Sequence, residues 1–168
     1  MWRVFYIYDR IAYLEVYTSN KIEGNTLTKG QTKAVLEGIA QDADLRSQTE
    51  VIQLNRAIRD NFSINNEAID RFNNSDKELI DIFKFKLDFV RIHPFMDGNG
   101  RISRLIMNGL LTAKGYPRII IRNQDKGFYY DAIESSLRVG RYDAWLKFML
   151  TYMKFMCELE DMFLLDIE

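Results

Sequence analysis

Only two prolines, Pro94 and Pro117, interrupt the 168 residues. Proline fixes φ, removes a backbone donor and breaks helices, so a chain this poor in it leaves long stretches open to helix. Apolar residues recur at three- and four-residue spacing in segment after segment. The pattern predicts helices over 2–17, 29–40, 48–60, 80–90 and 102–111, another beginning at 125, and a last one over 141–166. The expected class is all-α, with at most a minor β-hairpin. Residues 118–121 are a β-like run or an extended link. At this length one domain is expected, spanning 1–168. An apolar content of 47%, with 13% aromatic residues, suffices for a core.

Charge and cysteine usage narrow the partners. A net charge of −1 lacks the basic footprint of general nucleic-acid binding, so no direct nucleic-acid partner is expected. One cysteine, Cys157, allows no internal disulfide and suits a reducing compartment. It lies in an apolar helical run and reads as a small core residue rather than a nucleophile. No apolar run reaches the roughly 20 residues that span a bilayer, and the start lacks a signal-peptide pattern. A cytoplasmic protein without a membrane partner is expected.

The chemistry concentrates between His93 and Arg104, in the loop joining two apolar helical segments. Within twelve residues stand the chain's only histidine, Asp97, Gly98, Asn99, Gly100, Arg101 and Arg104. Glycines let the backbone take positive φ and approach a ligand closely. The first amides of a helix lack intrahelical partners, and the helix dipole adds partial positive charge there. Gly98-Asn99-Gly100 leading into a helix is thus a plausible anion cradle. Arg101 and Arg104, three apart, share a helix face and bring two forks for phosphate oxygens. Asp97 has the chemistry to hold Mg2+ bridging those phosphates. His93 at the edge suits a general base. Taken singly, a histidine after a helix, a Gly-x-Gly and an arginine pair are usually structural. Together, at this spacing, they are the parts for attack on a nucleotide phosphate.

The string His-Pro-Phe-x-Asp-Gly-Asn-Gly-Arg-x-x-Arg, residues 93–104, resembles the complete signature of the Fic domain. The resemblance implies an all-helical domain that transfers AMP from ATP to a Ser, Thr or Tyr hydroxyl of a target protein, with Mg2+ as cofactor. It implies that His93 is the base and Asp97 the magnesium ligand. Asn99 with the Gly98 and Gly100 amides would hold the α-phosphate region, and Arg101 and Arg104 the β- and γ-phosphates. Phe95 is expected in the core. Tyr129 and Tyr130 recur in relatives near the nucleotide base and are carried over as nucleotide contacts; core or surface aromatics are equally open.

Upstream, Ser19 and Glu23 stand four apart, Gly24 and Asn25 are good helix stops, and Thr28 with Gln31 can form a capping box. The bland reading is a short capped helix over 17–25 and a turn. The same residues resemble the inhibitory motif Ser-x-x-x-Glu-Gly of Fic proteins. That resemblance implies that Glu23 pairs with Arg104, which then cannot take a γ-phosphate, so the resting protein is autoinhibited. In some relatives the same glutamate helps remove AMP from the target, which leaves de-adenylylation open. Glu50 and Asn55 also fit the family wording.

One departure concerns target docking. Many relatives carry a β-hairpin flap before the signature, and no alternating strand pair with a hairpin turn is found in 73–81. The Met and aromatic stripe of 141–166 is core or a contact in a homo-oligomer. Two alternatives to adenylyl transfer remain: an idle nucleotide-sensing or interaction module, and a transferase of the same fold using another nucleotide.

Overall fold

The computed structural model describes residues 2–39, 42–62 and 79–165, with side chains over 12–39, 42–59 and 79–159. Seven α-helices and no strand occur among these residues, which is the all-α class expected. None of these helices is long and apolar enough to cross a membrane. The aromatic side chains before Ala12, the polar stretch over 63–78 where a flap would fall, and the acidic side chains from Glu160 onward lie outside the described residues. The chain divides into two compact units, 1–64 and 65–168.

The first unit holds α1 (Trp2–Ile22), α2 (Lys29–Leu36) and α3 (Leu45–Phe62). The sequence suggests a break near 17, yet α1 runs through it. Its polar residues there bond back along the helix: Thr18 Oγ1 donates to the Leu14 carbonyl at 2.8 Å, and Asn20 Nδ2 to that of Val16 at 3.0 Å. They therefore sit within the helix and do not cap a new one. The stop is at Gly24, where φ is +96°. The Asn25 amide reaches the Asn20 carbonyl at 3.0 Å and the Gly24 amide that of Lys21 at 3.2 Å, the two bonds of a Schellman cap. The capping box at α2 forms as expected, with Gln31 N bonded to Thr28 Oγ1 at 3.2 Å and Thr28 N to Gln31 Oε1 at 3.0 Å. Val51, Leu54 and Ile58 give α3 its buried stripe.

Asn25 ties the capped end of α1 to the start of α3. Its buried amide donates to the Ser47 carbonyl and to Glu50 Oε2, both at 3.0 Å, and accepts from Leu27 N at 3.1 Å. Asn25→Ala strands these groups. It is expected to cost about 2–3 kcal/mol, seen as a lower urea midpoint at unchanged slope.

The second unit holds α4 (Leu79–Ile92), α5 (Asn99–Ala113), a 3-10 turn (Asn123–Asp125), α6 (Lys126–Val139) and α7 (Asp143–Leu165). Trp145 at its centre is fully buried, and its Nε1 donates to the Phe83 carbonyl at 2.6 Å. Gly115 and Pro117 end α5 as the sequence suggests. The β-like run 118–121 is an extended link, not a strand. Buried Asn108 pairs with its backbone at Ile119, through Ile119 N at 2.9 Å and the Ile119 carbonyl at 3.1 Å. A side chain thus replaces the partner strand.

Candidate functional site

The signature occupies the loop between α4 and α5. The last turn of α4 carries His93 to the surface, with its amide still bonded to the Phe89 carbonyl at 3.0 Å. His93 has φ +51°, the only non-glycine positive value among the described residues. That region is uncommon for a side-chain-bearing residue and disfavoured further before proline. Such strain, of order 1–3 kcal/mol, persists where the surroundings impose it and clusters at functional sites. The effect is to turn the chain sharply at the imidazole.

From there the loop is held by Asn99, the buried first residue of α5. Its Oδ1 accepts from Phe95 N at 3.0 Å and its Nδ2 donates to the Phe95 carbonyl at 2.5 Å. Both ends of the amide therefore grip the backbone of one loop residue, its N–H and its carbonyl, so the structure gives Asn99 a shaping task. Asn99→Asp keeps the acceptor and loses the donor. It is expected to cost about 1–3 kcal/mol and to weaken nucleotide binding in an equilibrium titration. Phe95 itself, expected in the core, is 48% exposed. The turn imposed at His93 and Pro94 leaves it resting against Phe89, with ring centroids 6.2 Å apart.

Gly98, at φ +81°, begins α5 and has no side chain to cap the first turn. A Cβ there would have space, with Ile102 Cδ1 at 3.9 Å, so conformation alone demands the glycine. Asp97 precedes it, exposed, with Oδ1 accepting from Gly98 N at 2.7 Å and Oδ2 3.6 Å from Arg101 Nη2. One accessible carboxylate beside a helix N-terminus fits Mg2+ arriving with phosphates, since that ion takes few carboxylates. Correspondingly, no cluster of three or more metal-ligating side chains occurs among the described residues. Gly100 falls in the first turn of α5.

Arg101 and Arg104 differ. Arg101 is partly covered, beside Asp97. Arg104 is buried, and its Nη1 donates to the Tyr129 hydroxyl at 3.4 Å. Tyr129 is 2% exposed and lies in the core of its unit, whereas Tyr130 is exposed beside it, with ring centroids 5.3 Å apart. Burial would push the Tyr129 phenol up, but the Lys86 and Arg104 charges more than offset it, and the phenol titrates below its ordinary range.

The sequence reading overlooked Lys86, which is 0% exposed. A signal was present: position 86 lies on the stripe formed by Ile82, Phe83, Leu87 and Val90, where a charge is out of place. In the other unit, Ser19 is buried on α1, and Glu23 is exposed in the capped turn directly after Ile22.

Three kinds of similarity bear on this arrangement. Residues 21–111 match the model of the Fic/DOC family. A protein adenylyltransferase Fic from Nematostella vectensis is 26% identical over 185 residues, covering 74% of this chain and 43% of that protein. One from Aedes aegypti is 58% identical over 45 residues, 27% of this chain and 9% of that protein. The chain thus corresponds to less than half of the length of these relatives. Among solved structures, Fic-1 from C. elegans has a TM-score of 0.80 at 20% identity, covering 93% of this chain and 64% of that one. A Fic family protein from Desulfovibrio desulfuricans has a TM-score of 0.74 at 18% identity, covering 94% and 66%. The family match takes in the whole signature and the Ser19-to-Gly24 motif from Lys21 onward, so the chain belongs to the Fic/DOC family.

Proposed function

We propose that this chain is a protein adenylyltransferase that moves AMP from ATP to a Ser, Thr or Tyr hydroxyl of a target protein, or of itself. The observation that carries this reading is the loop geometry. An exposed His93 directly after α4 is followed within five residues by a left-handed Gly98 that opens α5 without a side-chain cap. The names of the Nematostella and Aedes relatives point the same way.

In this reading His93 takes the proton of the target hydroxyl. The freed oxygen attacks the α-phosphorus, the bond to the β-phosphate oxygen breaks, and pyrophosphate leaves. The first-turn amides of α5 stabilise charge on the α-phosphate oxygens. Arg101 and Arg104 hold the leaving phosphates. Asp97 would hold Mg2+, which when bound neutralises phosphate charge. Glu23 restrains the reaction by engaging Arg104. What supports this last element is the Ser19-x-x-x-Glu23-Gly24 pattern and the exposure of Glu23 at the end of α1.

The test uses Glu23→Gly protein with magnesium and ATP labelled on the α-phosphate, followed by intact mass. Gain of AMP mass supports transfer. ATP binding without label overturns it and favours a nucleotide-sensing module.

A further inference from the structure

Two cations share the core of the second unit beside one phenol. The Lys86 ammonium lies 4.6 Å from the Tyr129 ring centroid and 4.4 Å from that of Trp145. The Arg104 Cζ lies 6.0 Å from the same Tyr129 ring, with Nη1 on its hydroxyl. Tyr129 is held edge-on by Trp145 at 5.9 Å and Phe148 at 6.1 Å. The phenol therefore cannot swing away without disturbing the core. Burying an ammonium is costly, and a methionine would fill the same volume. The aromatic faces repay part of that cost through cation–π attraction.

We propose that Lys86 is a positioning residue for Arg104, acting through Tyr129. Both cations can only donate, so the phenol oxygen serves Arg104 as acceptor, and the Lys86 charge beside the ring favours the ionised form of that oxygen, which is the stronger acceptor. Like charges in a low-dielectric core also repel, so the Lys86 charge bears on where the guanidinium rests and on how it would meet the terminal phosphates of a nucleoside triphosphate. The inference rests on the reading of Arg104 as a phosphate clamp. It adds that a lysine outside the signature sets the clamp's direction and charge.

Binding of ATP and of AMP to wild type, Lys86→Met, Lys86→Arg and Tyr129→Phe tests this, alongside ultraviolet titration of the tyrosines. Lys86→Met is expected to weaken ATP binding about tenfold while AMP binding stays near wild type, and Lys86→Arg should restore ATP binding. The phenol ionisation that Tyr129→Phe removes should move to higher pH in Lys86→Met. Unchanged ATP affinity and an unchanged phenol titration in folded Lys86→Met would overturn the proposal. So would equal losses for ATP and AMP, which mark a general packing role. If Arg104→Ala leaves the preference for ATP over AMP intact, the clamp reading itself fails. The phenol titration then decides the link between Lys86 and Tyr129 alone.

Discussion

His93→Ala is expected to lower adenylyl transfer by about 10²–10⁴-fold, the usual contribution of a positioned general base, with nucleotide affinity within about twofold of the parent. The split follows from position. His93 stands directly after α4, whereas the groups proposed to bind phosphate begin at Gly98 and belong to the start of α5. An imidazole that only takes a proton contributes to the transition state and not to the ground-state complex, so the loss falls on kcat. Backbone strain needs a control, because alanine at φ +51° is less at ease than histidine. Asparagine tolerates that region and cannot act as the base. His93→Asn should therefore lose transfer while keeping the loop, as judged by ATP affinity and thermal midpoint. Transfer retained in both variants would remove His93 from the reaction. Loss of ATP binding in both would assign it to the shape of the loop.

How far the sequence carried the reading differs between elements. Helix stops and starts were legible because they rest on local chemistry: Gly24 ending α1, Thr28 and Gln31 opening α2, Gly115 ending α5. The signature was legible as a set because its spacing alone places an imidazole, a carboxylate and two guanidiniums around a helix N-terminus. The inner face of α5 was not. Of the apolar positions Ile102, Leu105, Ile106, Leu110 and Leu111, only Leu111 is buried, whereas Asn99, Ser103, Arg104 and Asn108 are buried as well. Polar groups can occupy such a face when each finds a partner, as Asn108 does on Ile119, Asn99 on Phe95 and Ser103 on the Gly100 carbonyl at 3.0 Å. The partner of Asn108 lies eleven residues on and comes from the return of the chain after α5, whereas those of Asn99 and Ser103 are three or four residues away; apolar periodicity encodes neither kind. The same holds for Lys86 and Tyr129, whose meaning arises only when α4, α5 and α6 bring them beside Arg104. The continuity of α1 through residue 17 was hidden by the polar run Thr18-Ser19-Asn20, which resembles a cap until its bonds are traced.

Glu23→Gly is expected to raise transfer, including self-modification, about 10- to 100-fold, the range for removing a charge-assisted contact that competes with a phosphate. A carboxylate on Arg104 would occupy the fork that the γ-phosphate needs. ATP can still bind, but a misplaced α-phosphorus is a poor target for in-line attack. The gain should therefore appear mainly in kcat, with a smaller rise in ATP affinity. Glu23 caps α1 just before Gly24, and a second glycine there would loosen the end of the helix by about 0.5–1 kcal/mol. Glu23→Gln separates the two effects, since it removes the charge and keeps a side chain of nearly the same shape. If charge is what restrains the clamp, Glu23→Gln should reproduce most of the activation without loss of thermal stability. If only Glu23→Gly activates, the restraint lies in the rigidity of the α1 terminus. If neither activates a protein that still binds ATP, Glu23 is not an inhibitor. Combining His93→Ala with Glu23→Gly completes the cycle: transfer should return to the level of His93→Ala alone, because releasing the clamp cannot replace the base.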